Sequence, residues 1–72
     1  MSDVAAIGAA PDVTGFRLAG ARVYAVDTAD QARAAWQNLP DTVAVVILSE
    51  AAAKAVGSAR RAARAPLTVV LP

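Results

Sequence analysis

The chain has 72 residues, with Lys+Arg 7 against Asp+Glu 6 for a net charge of +1 at pH 7, and it contains neither cysteine nor histidine. Those absences exclude disulfides, the usual zinc ligand sets, thiol nucleophiles and the commonest general base, and the balanced charge supplies no field for nucleic acid or an anionic membrane. The length allows a single domain over residues 1–72, one that buries only about 60% of the surface its unfolded chain exposes.

Hydrophobic residues make up 57% of the chain but aromatics only 4%. The surplus is alanine, which contributes little burial per residue, so a core of this kind gains from a second chain. No apolar run approaches the ~18–20 residues of a membrane span, and the start, Met1-Ser-Asp-Val4, lacks the basic flank of a signal peptide. A soluble, cytoplasmic protein is the expectation.

Four apolar, β-branched runs recur: Asp3 to Gly8, Arg22 to Val26, Val43 to Leu48 and Leu67 to Leu71. Helix-like segments separate them. Val43-Ala-Val-Val-Ile-Leu48 is continuous rather than alternating, as in a strand covered on both faces. The alternation of strand and helix predicts a small α/β fold, βαβαβαβ, with an open four-stranded parallel sheet.

After the first strand comes Asp12-Val-Thr-Gly-Phe-Arg-Leu-Ala-Gly20. Wound as a helix with Asp12 as its N-cap, it turns Val13, Phe16 and Ala19 toward the sheet. Thr14 and Leu18 then lie on another side, with Arg17 between the two sets. Gly15 in its interior costs about 1 kcal/mol relative to alanine, tolerable where another backbone must approach closely. Gly20 reads as the left-handed C-cap that releases the chain into the second strand.

Thr28 and Gln31 form a capping box at the start of the second helix. Ala32, Ala35, Trp36 and Leu39 make its apolar stripe, Trp36 being the largest core plug, and Pro40 ends it. A third helix runs from the N-cap Ser49 to about Arg64. Ala52, Ala55, Val56, Ala59 and Ala63 share one face of it, and Lys54, Arg60, Arg61 and Arg64 the opposite arc. Those cations complement the helix dipole and also offer a docking patch. Pro66 closes the helix.

The glycines after the first strand match no phosphate cradle. A P-loop needs Gly-x-x-x-x-Gly-Lys-Ser/Thr, whereas Gly15 is followed by Phe16 and Arg17; a dinucleotide loop needs Gly-x-Gly-x-x-Gly, and Gly8 to Gly15 contains no such pair. Asp12 and Glu50 could flank the switch point at which open α/β sheets bind ligands. As a metal pair they are weak, because capping already explains Asp12. Neither cofactor nor metal is expected, and no catalytic residues emerge.

Val13-Thr-Gly-Phe-Arg-Leu-Ala-Gly20, with Val23-Tyr-Ala-Val26 and the Thr28-Ala-Asp-Gln-Ala-Arg33 helix start, resembles the F subunit of the V-type and A-type rotary ATPases (ATP synthases). Val43-Ala-Val-Val-Ile-Leu-Ser49 and Leu67-Thr-Val-Val-Leu-Pro72 follow in the same order. The resemblance implies a four-stranded parallel sheet seated on the central rotor stalk beside the D subunit, peripheral to the membrane. It implies coupling of ATP turnover to proton or sodium movement, with no catalysis of its own. The family usually continues past the fourth strand into a helix linked to regulation, which has no counterpart in these 72 residues.

Helical geometry within this chain marks Thr14, Arg17 and Leu18 as partner-contacting residues, with Arg60, Arg61 and Arg64 as a second patch. The alternative function is a free-standing ligand-binding or signalling module of flavodoxin-like topology, using a pocket between Ala9 to Asp12 and Ser49-Glu50. An enzyme comes third, since its general base would have to be a carboxylate and no pair stands out.

Overall fold

The computed structural model describes residues 2–72. Four strands, β1 (Asp3–Gly8), β2 (Arg22–Ala25), β3 (Val43–Leu48) and β4 (Leu67–Val70), form one parallel sheet in the order β2-β1-β3-β4. Helices α1 (Ala10–Val13), α2 (Ala29–Gln37) and α3 (Glu50–Val56) connect them, with 3-10 segments η1 (Thr14–Ala19) and η2 (Gly57–Arg61) following α1 and α3. The α/β reading therefore holds, including all four strands.

Parallel pairing fixes which side chains share a face. Ala5 pairs with Val46 and Ile7 with Leu48, and all four are fully buried beneath Ala32 of α2 and Ala52 and Ala53 of α3. Tyr24, Val26, Ala35, Trp36 and Leu39 pack around this cluster. Trp36 is thus a partly buried wall of the core rather than its largest plug, a role that falls to Ile7 and Leu48. On the other face α1 and η1 pack on β1 and β2, with Val13 fully buried.

The segment after β1 differs from the single helix expected. Its N-cap is Ala9, with no side-chain bond, and Pro11 stands in the first turn. Asp12 is an exposed residue of α1, not its cap. Proline lacks an amide donor and its fixed φ suits a first turn, so it starts the helix earlier than Asp12 would. From Thr14 the helix tightens into η1. Gly20 closes it at φ 87°, with Gly20 N–H donating to Arg17 O at 3.0 Å and Ala21 N–H to Phe16 O at 3.2 Å, the paired bonds of a Schellman ending.

The other caps follow the sequence closely. Thr28 Oγ1 accepts from Gln31 N–H at 3.1 Å, and Gln31 Oε1 accepts from the Asp27 N–H, one residue before the amide a standard box would use. Ser49 Oγ accepts from Ala52 N–H at 3.1 Å. The α3 helix, however, stops at Val56. Gly57 adopts φ 64°, ψ −137°, a region that side chains disfavour, and the turn separates Lys54 from the arginines that follow. The continuous arc of Lys54, Arg60, Arg61 and Arg64 does not form.

At the opposite end of the sheet, Asp3 Oδ2 accepts from Thr42 Oγ1 at 2.7 Å and from Arg22 Nε at 3.3 Å. These bonds favour the carboxylate, the Thr42 hydroxyl most, and hold its pKa below the ordinary value. Because the folded pKa lies below the unfolded one, the contribution is present above about pH 4 and is lost as pH falls through the folded value. Urea midpoints measured from pH 5 down to pH 2 are expected to fall less for Asp3→Asn than for the parent chain. Parallel curves would refute the assignment.

Candidate functional site

The surface of α1 and η1 carries Thr14, Arg17 and Leu18, all exposed. Leu18 is 96% exposed, so it takes no part in this chain's own core. Phe16, by contrast, is partly buried. The 3-10 winding explains the division, because its three-residue period places neighbouring side chains on separate edges of the segment. Gly15 has open space where a Cβ would stand and an ordinary negative φ. No other part of the described residues comes within 4 Å of that position.

The close approach occurs at Gly8. A Cβ on Gly8 would lie 2.8 Å from Ser49 Cβ, 2.9 Å from Ser49 Oγ and 3.0 Å from Val13 Cγ1. The first strand thus ends in a packed junction with α1 and the start of α3, and Ser49 is itself buried and committed to its cap. That leaves little of the phosphate-cradle geometry a glycine after β1 suggests. The neighbouring cleft, about 190 Å³, is lined by Ala9, by Val26 to Ala29, and by Ala32, Ala51 and Ala52. Asp12, Ser49 and Glu50 are outside that lining, as is any cation. Such a cleft is smaller than the ~300–1,000 Å³ of common small-molecule sites. Asp12 and Glu50 are both exposed, and no group of three or more metal-ligating side chains gathers among the described residues.

Arg60, Arg61 and Arg64 occupy η2 and the turn before β4. Arg61 and Arg64 are exposed, whereas Arg60 is partly buried and its Nε has no hydrogen-bond partner among the described residues. A larger groove, about 490 Å³, lies between the end of α2 and this turn. Trp36, Leu39 and Pro40 form one wall, Ala62, Ala65 and Pro66 the other, and Asp41 and Arg64 supply opposite charges. Sequence reasoning did not join these residues, because they are distant in the chain and no local pattern links them. The break at Gly57 had a local signal, a glycine within an otherwise helical run.

No helix among the described residues is long and apolar enough to cross a membrane. A comparison with curated proteins returns no match. A family model described as ATP synthase (F/14-kDa) subunit matches residues 4–72, which is the whole fold but for the first residue of β1.

Proposed function

The chain belongs to the ATP synthase (F/14-kDa) subunit family, the F subunit of the V/A-type enzymes, and from that premise we propose a non-catalytic rotor-stalk component that works by docking to the D subunit. Its part is to transmit torque between ATP turnover and ion translocation. The observation that carries the docking reading is Leu18, a large apolar side chain 96% exposed on a segment that packs beside β2. Thr14 and Arg17 stand beside it in η1, and Arg61 and Arg64 offer a second polar contact, to which Arg60 contributes only in part. The absence of cysteine and histidine and the alanine lining of the switch-point cleft favour contact over catalysis or ligand binding.

Co-expression with the D subunit, followed by size-exclusion chromatography with mass determination, tests this reading. The parent chain is expected to form a one-to-one complex. Leu18→Glu is expected to weaken it at least tenfold without moving the unfolding midpoint, because exposed substitutions away from packed features cost within about 0.5 kcal/mol. A folded chain that ignores the D subunit would overturn the proposal. An undiminished complex with Leu18→Glu would remove η1 from the interface.

A further inference from the structure

Among the described residues the ion pairs are Arg22 with Asp3 and Arg33 with Asp30. Arg60, Arg61 and Arg64 therefore stand in one short stretch of chain without a carboxylate partner, and Arg60 is partly buried with its Nε unbonded. A buried donor left without an acceptor costs stability, a cost that an acceptor from outside would remove. The same stretch forms one wall of the groove of about 490 Å³, where Arg64 faces Trp36 and Leu39 across the gap and Asp41 is the single carboxylate of the lining. Trp36 is only half-buried, and tryptophan and arginine are among the residue types that most often anchor contacts between proteins.

We propose that this groove seats an acidic segment of a neighbouring polypeptide of the complex, with one large apolar side chain against Trp36 and its carboxylates on Arg60, Arg61 and Arg64. The proposal rests on the chain's place in a multisubunit assembly and gives the second contact patch a partner chemistry. Charge selects the occupant. Three arginines against one aspartate attract an anionic segment, and a guanidinium takes a carboxylate through paired N–H donors. Turning the Arg60 guanidinium toward such a group gives its Nε an acceptor. The apolar walls select an anchored segment over a bare anion, and the volume lies in the ~300–1,000 Å³ range of sites that hold a ligand.

Position in the fold selects the source. Val43, at the start of β3, and Pro66, just before β4, both line the groove, and parallel β4 then carries the chain to the opposite end of the sheet. A neighbouring polypeptide reaches the groove directly. Trp36 and Leu39 belong to the face covered by α2 and α3, whereas Leu18 is on the α1 side. A partner against Leu18 therefore leaves this groove open.

Trp36 is the chain's one tryptophan, so its fluorescence reports on the groove. The test titrates the chain with the capped pentapeptide EELEE, using EEAEE, KKLKK and inorganic phosphate as references. A saturable shift is expected with EELEE, at least tenfold weaker with either reference peptide and absent with phosphate. Arg64→Gln is expected to weaken binding at least fivefold and Asp41→Asn to strengthen it. Arg60→Met is expected to weaken binding while leaving the urea midpoint unchanged or raised, because it removes a buried unpaired donor; a lowered midpoint with unchanged binding would make Arg60 purely structural and overturn its part. A flat titration, equal binding of KKLKK or EEAEE, a phosphate response, or a shift on raising the chain's own concentration would overturn the proposal. Leu18→Glu is expected to leave peptide binding unchanged, so failure here and failure to bind the D subunit are read separately. In the assembled complex, p-benzoylphenylalanine at the exposed position 62 is expected to crosslink to an acidic segment of one neighbouring polypeptide. Crosslinks to a second copy or to a further part of the same polypeptide would overturn the assigned source.

Discussion

Gly8→Ala is expected to destabilise the chain by about 3 kcal/mol, at the upper end of the usual cost of overpacking. Gly8 has an ordinary φ, so the penalty is steric rather than conformational. The new methyl would meet Ser49 at 2.8 Å and Val13 at 3.0 Å, and neither has anywhere to go. Ser49 is held by its cap on Ala52 and by its N–H bond to Ile7 O at 3.0 Å, while Val13, the last residue of α1, is fully buried. At ~4–8 °C per kcal/mol for a domain of this size, the melting temperature is expected to drop by roughly 12–24 °C. Gly15→Ala, with open space around it, serves as the control and is expected to be neutral or slightly stabilising. A Gly8→Ala loss below about 1 kcal/mol would show that the junction yields more readily than its contacts imply.

A comparable loss is expected from Leu48→Ala. Leu48 is fully buried, pairs with Ile7 on one side and Val70 on the other, and its carbonyl accepts Leu71 N–H at 2.8 Å. Removing a buried leucine side chain costs about 2–5 kcal/mol, according to how far the site collapses. Collapse is limited here because the facing residues, Ala52 and Ala53, have no side chain long enough to fill the gap. About 4 kcal/mol is expected, a large part of the ~4–11 kcal/mol total stability of a chain this long. Leu67→Ala, at an exposed position of β4, is expected to cost under about 0.5 kcal/mol in the isolated chain. Urea unfolding of the two variants checks the contrast, and equal losses would refute the burial assignment.

The four strands were legible because their β-branched runs were bounded by local signals, and the caps at Thr28 and Ser49 because capping acts over three residues. The Gly20 ending was legible for the same reason. Asp12 was misplaced as a cap because Pro11 also suits a first helical turn, and a helix started by proline takes Asp12 inside it. The third helix was read too long because its alanine pattern continues past Gly57 in the periodicity, although the backbone turns there. Gly8 escaped notice as the tight position since its neighbours, Val13 and Ser49, meet it only in three dimensions. The groove beside Trp36 was hidden for that same reason, its walls coming from segments far apart in the chain. Leu18 was singled out because local helical geometry sufficed to set it apart from Phe16.

The strand order also governs how the chain comes to be folded. Ala5 waits for Arg22, and Val4 for Val45, before either finds its partner, so no tight hairpin is available as a local nucleus. Contacts so distant in sequence make folding slow relative to helical proteins of equal length. During synthesis, at about 5–20 residues per second, β1 emerges first yet gains its second neighbour only when β3 has left the ribosome. Ala5, Ala6 and Ile7, fully buried in the finished fold, are thus the longest unprotected, and β4, the last of the four strands to be made, completes the sheet.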